Sequence, residues 1–131
     1  MRKYTLFILV MAALAMGCVA KASVPKMSPR AQVVRTGKGD PGPGMHEVGP
    51  VEASNGSGCG GFGTEGSYEG ALAELKNRAA ALGADYVQIF TMEGPYLSGK
   101  CRENAFVIRG MAFRSQAAAT PSASAAAPQP K

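Results

Sequence analysis

The amino-acid sequence predicts an α+β domain in which one main helix packs on a small antiparallel or mixed sheet. Three observations point to this class. One amphipathic helix pattern lies in the middle of the chain, strand-like segments lie on both sides of it, and turns containing glycine and proline separate these segments. The predicted order is strand, strand, helix, strand, strand, within a single domain at residues 31–114.

Two weak strands are predicted before the helix, at residues 31–34 and 46–53. The segment between them, residues 37–44, consists of glycine and proline with one lysine and one aspartate. This composition is typical of a turn-forming connection. We therefore expect two separate strands rather than one long strand.

The main helix is predicted from Ser67 to Gly83. Ser67 is a favoured N-cap residue, Glu69 suits the positive end of the helix dipole, and Gly83 provides the C-terminal stop. Apolar side chains recur at helical spacing along one face: Leu72, Leu75, Ala79 and Leu82. We expect this face to pack on the sheet and the opposite face to be solvated.

Two stronger strands are predicted after the helix, at residues 86–91 and 105–113. Both segments are rich in β-branched and aromatic residues, which favour strands. A polar loop joins them. The simplest arrangement is an antiparallel pair that forms part of the sheet beneath the helix.

The first 18 residues indicate export. Arg2 and Lys3 precede an apolar run at residues 5–16, which is shorter than the about 20 apolar residues that span a hydrocarbon core. The run ends in Ala15-Met16-Gly17-Cys18, which resembles the lipobox of bacterial lipoproteins, although Leu is usual where Ala15 stands. We predict that residues 1–17 are a lipoprotein signal peptide and that Cys18 becomes a lipidated N-terminus.

The predicted lipid anchor implies a location in the cell envelope. Val19 rather than Asp follows the cysteine, and by resemblance to the sorting rules of enteric bacteria this favours the outer membrane, with the domain facing the periplasm or the cell surface. A secretory signal cleaved near Ala20 or Ala22 is the alternative. Residues 18–30 are expected to form a flexible lipidated tether, and the residues at 115–131, rich in Ala, Ser and Pro, a disordered tail.

The charge balance argues against a nucleic-acid partner. Loss of Arg2 and Lys3 leaves 12 basic residues against 9 acidic residues, which is a mild positive charge. The basic residues before the domain are spread along the predicted tether rather than clustered with aromatic residues on one face. A solvated tether near an anionic membrane surface explains them better.

Cys59 and Cys101 are the two cysteines that remain once Cys18 is lipidated. In an oxidising compartment, an even pair in a small domain most often forms a disulfide. Closing a loop of about 42 residues stabilises a fold by roughly 4 kcal/mol in the chain-entropy model. We therefore predict a disulfide-stapled domain, with free thiols, an intermolecular bridge and metal binding as alternatives.

No catalytic residue, metal site or cofactor is predicted. Gly56, Gly58 and Gly61 match the G-x-G-x-x-G dinucleotide pattern, but the helix begins several residues later and no strong strand precedes the motif. A loop that turns sharply beside a disulfide explains these glycines better. His46 is the only histidine, so support for a thiol enzyme at Cys59 is thin.

Tyr96 and Leu97 are candidate partner-binding residues. They lie in a loop between Gly94 and Gly99 that displays apolar side chains without an obvious local core. Aromatic residues are enriched among interface anchors. The alternative is that this loop covers the edge of a small core.

Several segments resemble a known family. They are Glu47–Val51, Gly58–Gly60, the run at 71–87 that contains Asn77 and Gly83, Cys101, and Gly110–Phe113. Together they resemble a group of short bacterial outer-membrane lipoproteins of unknown function, and their layout is similar to that of the stress-sensor lipoproteins of the Rcs phosphorelay. The resemblance covers about 70 residues and is most specific at the junction between the helix and the following strand.

The resemblance implies an α+β domain on a lipidated stalk, with a disulfide that joins the loop before the helix to the segment before the last strand. Cys59 and Cys101 fall at matching places, although the Rcs sensors have two bridges and this chain has one candidate. The expected function is that of a non-catalytic, lipid-anchored envelope protein that binds another protein as a sensor, adaptor or assembly factor. The alternative is a small-ligand or metal site that uses Cys59, His46 and Cys101 at one end of the sheet.

Overall fold

The structure is a computed structural model that describes residues 20–116. The predicted signal peptide, the predicted lipidation site at Cys18 and residues 117–131 of the predicted tail lie outside the described residues.

The described chain forms ten regular elements and one short 3-10 turn at Gly60–Phe62. In chain order they are β1 (Ala20–Lys21), α1 (Pro29–Val33), β2 (Arg35–Gly37), β3 (Met45–Asn55), β4 (Thr64–Glu65), α2 (Tyr68–Ala81), β5 (Tyr86–Glu93), β6 (Tyr96–Ser98), β7 (Cys101–Glu103) and β8 (Phe106–Ser115).

The main sheet has four strands in the order β2-β5-β8-β3. Strand β2 is parallel to β5, whereas β5 and β3 are both antiparallel to β8, so the sheet is mixed. Helix α2 packs on one face of it, chiefly against β3, and α1 packs on α2. The α+β class with one main helix is therefore confirmed.

The predicted main helix is confirmed, and its ends lie where the capping residues place them. The Ser67 hydroxyl accepts a hydrogen bond from Gly70 N at 3.0 Å, and Gly83 adopts a left-handed φ of 74° after the last turn. The buried face of the helix packs on apolar side chains of the sheet. The fully buried residues include Leu75, Ala71, Ala79, Val87, Ile108 and Ala112.

The strand predicted at residues 31–34 is wrong. This segment belongs to α1, a single helical turn, and the following strand β2 begins at Arg35. The physical reason is a local start signal: the Ser28 hydroxyl caps Ala31 N at 3.1 Å, and Pro29 occupies the first turn, where a missing N–H costs nothing. Ala31 and Val34 are buried in the core, which explains their apolar character.

The segment expected to be a flexible tether instead packs on the domain from Ala20 onward. Strand β1 pairs in parallel with β4. Asn55 Nδ2 donates to Ser23 O at 3.0 Å, and the Asn77 side chain donates to Lys26 O at 3.1 Å. Asn77 also accepts from Ser28 N at 2.9 Å. The amides of Asn55 and Asn77 bind backbone groups of this extended segment. The composition of the segment does not reveal such contacts, because its side chains do not make them.

The loop between β5 and β8 contains a short hairpin that the sequence did not predict. Strands β6 and β7 pair antiparallel, and Ser98 lies opposite Cys101. Gly99 has a φ of 60°, which suits the tight turn between these strands. Among residues 20–116, no helix has the length and apolar character needed to cross a membrane.

Candidate functional site

Cys59 and Cys101 are joined by a disulfide, as predicted, with their Cα atoms 5.6 Å apart. The bond connects the loop before α2 to β7 of the short hairpin. An isolated bridge between Cys59 and Glu103 adds backbone pairing beside it. The hairpin and the loop before the helix are therefore held together as one unit.

The glycines near the disulfide allow backbone conformations and close contacts that a residue with a Cβ atom would not tolerate. Gly56 and Gly58 have left-handed φ values of 88° and 76°. A Cβ atom on Gly56 would collide with the backbone of Gly66. The loop leads into a 3-10 turn, and α2 begins only at Tyr68, so the glycines do not open a helix as the dinucleotide motif requires.

Two buried asparagines hold the loop in place, and neither was predicted from the sequence. Asn104 donates from Nδ2 to Gly60 O at 2.7 Å and from its backbone to Gly58 O at 3.0 Å. Asn55, at the end of β3, accepts from Ser67 N at 3.0 Å. A polar residue that ends an apolar strand is the available sequence signal for such a role.

The predicted partner-binding residues are exposed beside the disulfide. Leu97 is 79% exposed and Tyr96 is 52% exposed, so neither covers the core. Phe62, in the 3-10 turn, is fully exposed and was not predicted as a functional residue. The disulfide between the turn and the hairpin places these three side chains at the same end of the molecule.

His46 lies at the opposite end of the sheet from the disulfide, so the expected grouping with Cys59 and Cys101 is wrong. His46 pairs with Arg114 at the start of β3, whereas Asn55 at its end leads into the disulfide loop. The intervening strand spans about 30 Å at roughly 3.3 Å per residue. The His46 ring is 2.9 Å from Gln116 Oε1. Within residues 20–116, no three His, Cys, Asp or Glu side chains form a cluster suited to a metal ion.

The face of the sheet that does not contact the helices carries half-buried and exposed aromatic and apolar side chains. We call it the open face and define it by Tyr86, Phe90, Arg109, Met111 and Phe113, with Pro50 at its edge; by strand register, Gln88, Thr91 and Glu52 lie among them. Phe90 lies at an irregularity in β5 and is 59% exposed. The rings of Tyr86 and Phe113 are 6.5 Å apart. Antiparallel sheets usually present polar residues to water on this side.

A charged group lies within the open face. Arg109 Nε is 2.6 Å from Glu52 Oε2, and Arg109 Nη1 is 3.1 Å from Glu93 Oε1. The hydrogen bond that Arg109 donates to the Glu52 carboxylate raises the pKa of the guanidinium above its already high value, so this charge is constant. Phe90, Pro50 and Arg109 line one shallow groove across the face.

Asp85 ties the end of the helix to the last strand, at the far end of the sheet from the disulfide. Ser115 donates to Asp85 Oδ2 from its hydroxyl at 2.6 Å and from its backbone at 2.9 Å. These two hydrogen bonds lower the pKa of the Asp85 carboxyl, and Arg30 and Arg114 lower it further. Arg114 also donates to the carbonyls of Leu82 and Gly83, which are exposed by the end of the helix.

Comparison with curated proteins finds no match to this chain. A family model described as a domain of unknown function (DUF4156) matches residues 25–115. The matched range includes the segment before α1 that packs on the domain, and it extends to the end of β8. The match covers well over half of the chain. The protein therefore belongs to the DUF4156 family of domains of unknown function.

Proposed function

We propose that the protein is a non-catalytic, lipid-anchored component of the cell envelope that binds another envelope protein through its open face, as a sensor, adaptor or assembly factor. The observation that carries this proposal is the apolar and aromatic character of a sheet face that remains accessible to solvent.

The open face has the composition of a protein interface. Aromatic residues, Met and Arg are enriched in interfaces, and Phe90, Met111 and Arg109 lie together here. Contiguous exposed apolar patches are uncommon on monomeric proteins unless they bind something. The ion pairs of Arg109 with Glu52 and Glu93 hold its guanidinium in place. A partner that buries this face would contact an ordered group of ion pairs next to the apolar surface of Phe90 and Met111.

The anchor is supported by the chain before the domain. The apolar run that ends in Gly17-Cys18 predicts acylation of Cys18, and Val19 favours the outer membrane. The Cys59–Cys101 disulfide is typical of a protein exported to an oxidising compartment. The intact mass of protein extracted from membranes, with and without reduction, tests the anchor directly: we expect acyl chains on Cys18 and no alkylation of the other cysteines before reduction.

Site-specific photocrosslinking in intact cells tests the binding role. A photoreactive phenylalanine analogue is placed at position 90 or 111 of the open face, and at position 32 as the control. Gln32 is exposed on α1, on the helical side of the sheet. We expect an adduct of one discrete mass from positions 90 and 111 and none from position 32. Adducts from all three positions, or from none, would contradict the proposed interface.

A further inference from the structure

We propose that the disulfide end of the domain rests on the phospholipid bilayer and forms a second, membrane-contacting surface. We call this surface the loop tip and define it by Phe62, Tyr96, Leu97, Lys21 and Arg102. The proposal rests on the proposed lipid anchor at Cys18. It assigns to the bilayer the residues Tyr96 and Leu97, which the sequence alone suggested for a protein partner.

The chain leaves the described domain at β1, next to β4. Ala20 is fixed opposite Thr64 by the parallel pairing of β1 with β4, and Ala22 N donates to Glu65 O at 2.8 Å. Consecutive Cα atoms are 3.8 Å apart, so two residues of chain reach at most about 8 Å from Ala20. Acyl chains on Cys18 would therefore enter the membrane next to β4 instead of at the end of a long tether.

Exposed apolar side chains lie at the end of the domain where β1 pairs with β4. Phe62 precedes Thr64 by two residues and is fully exposed. Leu97 lies opposite Arg102 in the short hairpin, and Arg102 is 3.8 Å from Glu65, the partner of Lys21 in β1. The hairpin, the 3-10 turn and the exit point of the chain are thus neighbours.

The side chains of the loop tip are of the types found at membrane interfaces. Tyr96 carries an apolar ring with a polar hydroxyl, a combination favoured at membrane interfaces. Three exposed basic side chains lie at this end, Lys21, Lys100 and Arg102, together with the carboxylates of Glu65, Glu93 and Glu103, and Arg102 is paired with Glu65. The two exposed lysines can contact lipid phosphate groups, while Phe62 and Leu97 supply the apolar contact. The disulfide holds the turn and the hairpin together, so the apolar residues are presented to the bilayer as one rigid surface.

In this orientation the open face points away from the bilayer at its His46 end. The strand β3 runs from His46 to Asn55 toward the loop tip, so the His46 end lies farther from the bilayer, by up to about 30 Å. The open face then extends away from the membrane along the length of the strands. It would be accessible to a protein in the same membrane or in the adjoining aqueous space.

Single-tryptophan variants test the proposal, because the chain contains no tryptophan. Phe62→Trp and Leu97→Trp place the probe in the loop tip, and His46→Trp places it at the opposite end as the control. The lipidated full-length proteins, extracted from membranes, are reconstituted into vesicles of phosphatidylethanolamine and phosphatidylglycerol that contain brominated phospholipid. Brominated acyl chains quench only fluorophores that are in contact with the lipid.

We expect several-fold stronger quenching and a blue-shifted emission for positions 62 and 97, and little quenching at position 46. All the substitutions are at exposed or strand-end positions, and an unchanged gel mobility before reduction shows that the disulfide is intact. Acylated protein that floats with the vesicles but shows equal quenching at all three positions would overturn the loop-tip proposal alone. Protein without acyl chains that fails to float would overturn the anchor, and the loop-tip proposal with it.

Discussion

Asn55 accepts a hydrogen bond from the backbone N–H of Ser67 at 3.0 Å, which fixes the start of α2 to the end of β3. The same side chain donates to Ser23 O at 3.0 Å. One buried amide thus joins the segment before α1, the sheet and the main helix. Gly70 is required beside it, because a Cβ atom there would collide with the Asn55 side chain.

Asn55→Ala is expected to lower the free energy of unfolding by about 1–3 kcal/mol, because it removes two partly buried hydrogen bonds, to Ser67 N and Ser23 O, each worth about 0.5–1.5 kcal/mol. Urea denaturation followed by circular dichroism measures this loss. Ser54→Ala, at the exposed neighbouring position, is the matched control and should change stability little. Equal losses of stability in the two variants would show that the hydrogen bonds of the Asn55 side chain do not stabilise the fold.

Leu75→Ala should create a cavity between α2 and the sheet. Leu75 is fully buried, so we expect a loss of about 2–5 kcal/mol in the free energy of unfolding. Leu82→Ala removes the same atoms at the end of the helix. The Leu82 side chain is partly exposed, so the loss of stability should be clearly smaller. Thermal and urea unfolding of the two variants provide the comparison.

Removal of the disulfide should destabilise the domain strongly. The bond closes a loop with a sequence separation of 42 residues. Double substitution of Cys59 and Cys101 by Ser is expected to lower the free energy of unfolding by roughly 4 kcal/mol in the chain-entropy model. Denaturant midpoints of the oxidised, reduced and doubly substituted protein measure the effect. Identical midpoints for all three would contradict a stabilising role.

The carboxyl of Asp85 should contribute to stability at neutral pH and lose that contribution in acid. Its pKa is lowered in the folded state by the two hydrogen bonds from Ser115, so folding favours the charged form. This stabilisation is fully present above the unfolded pKa of about 3.9 and is lost as the pH falls through the lower folded pKa. Asp85→Asn should therefore be destabilising at neutral pH and nearly neutral in strong acid.

Ser115→Ala provides the matched test of the cause. It removes the hydroxyl that donates to Asp85 Oδ2 and keeps the backbone donor. An NMR titration of the Asp85 carboxyl should show a higher pKa in this variant than in the unchanged protein. A pKa equal in both proteins would mean that the hydroxyl does not cause the shift.

Phe90→Ala should reduce partner binding without affecting the fold, because the Phe90 side chain is largely exposed on the open face. Crosslinking from position 111 in the Phe90→Ala background measures the loss of the partner adduct. Val33→Ala, which shortens an exposed side chain on α1, is the control. Loss of the adduct in the control as well would indicate a general effect on the protein rather than a local one.

Residues that act through local signals were predictable from sequence. The helix was found from the cap at Ser67 and the stop at Gly83, and β5 and β8 were found from their β-branched and aromatic composition. The pairing of Cys59 with Cys101 followed from counting cysteines. The exposure of Tyr96 and Leu97 followed from a turn-rich loop, whereas Phe62 was missed because a single aromatic residue among glycines gives no periodic signal.

Residues that act over long sequence separations were not predictable. Asn55 contacts Ser23, and Asn77 contacts Lys26, across 32 and 51 residues of sequence, so the local composition of residues 20–30 predicts a tether instead. The grouping of His46 with the cysteines failed because the length and direction of β3 determine which end of the sheet a residue occupies.

The main helix, the two strands that follow it and the disulfide can be predicted from local features of the chain, because periodicity, capping and cysteine pairing do not depend on distant residues. Three features emerge only in the folded domain: the docking of residues 20–30, the separation of His46 from the disulfide, and the open face with Phe90 beside Arg109. Each of these depends on which distant backbone and side-chain groups meet when the sheet closes against the helix, and those partners are chosen by packing and hydrogen bonding in three dimensions.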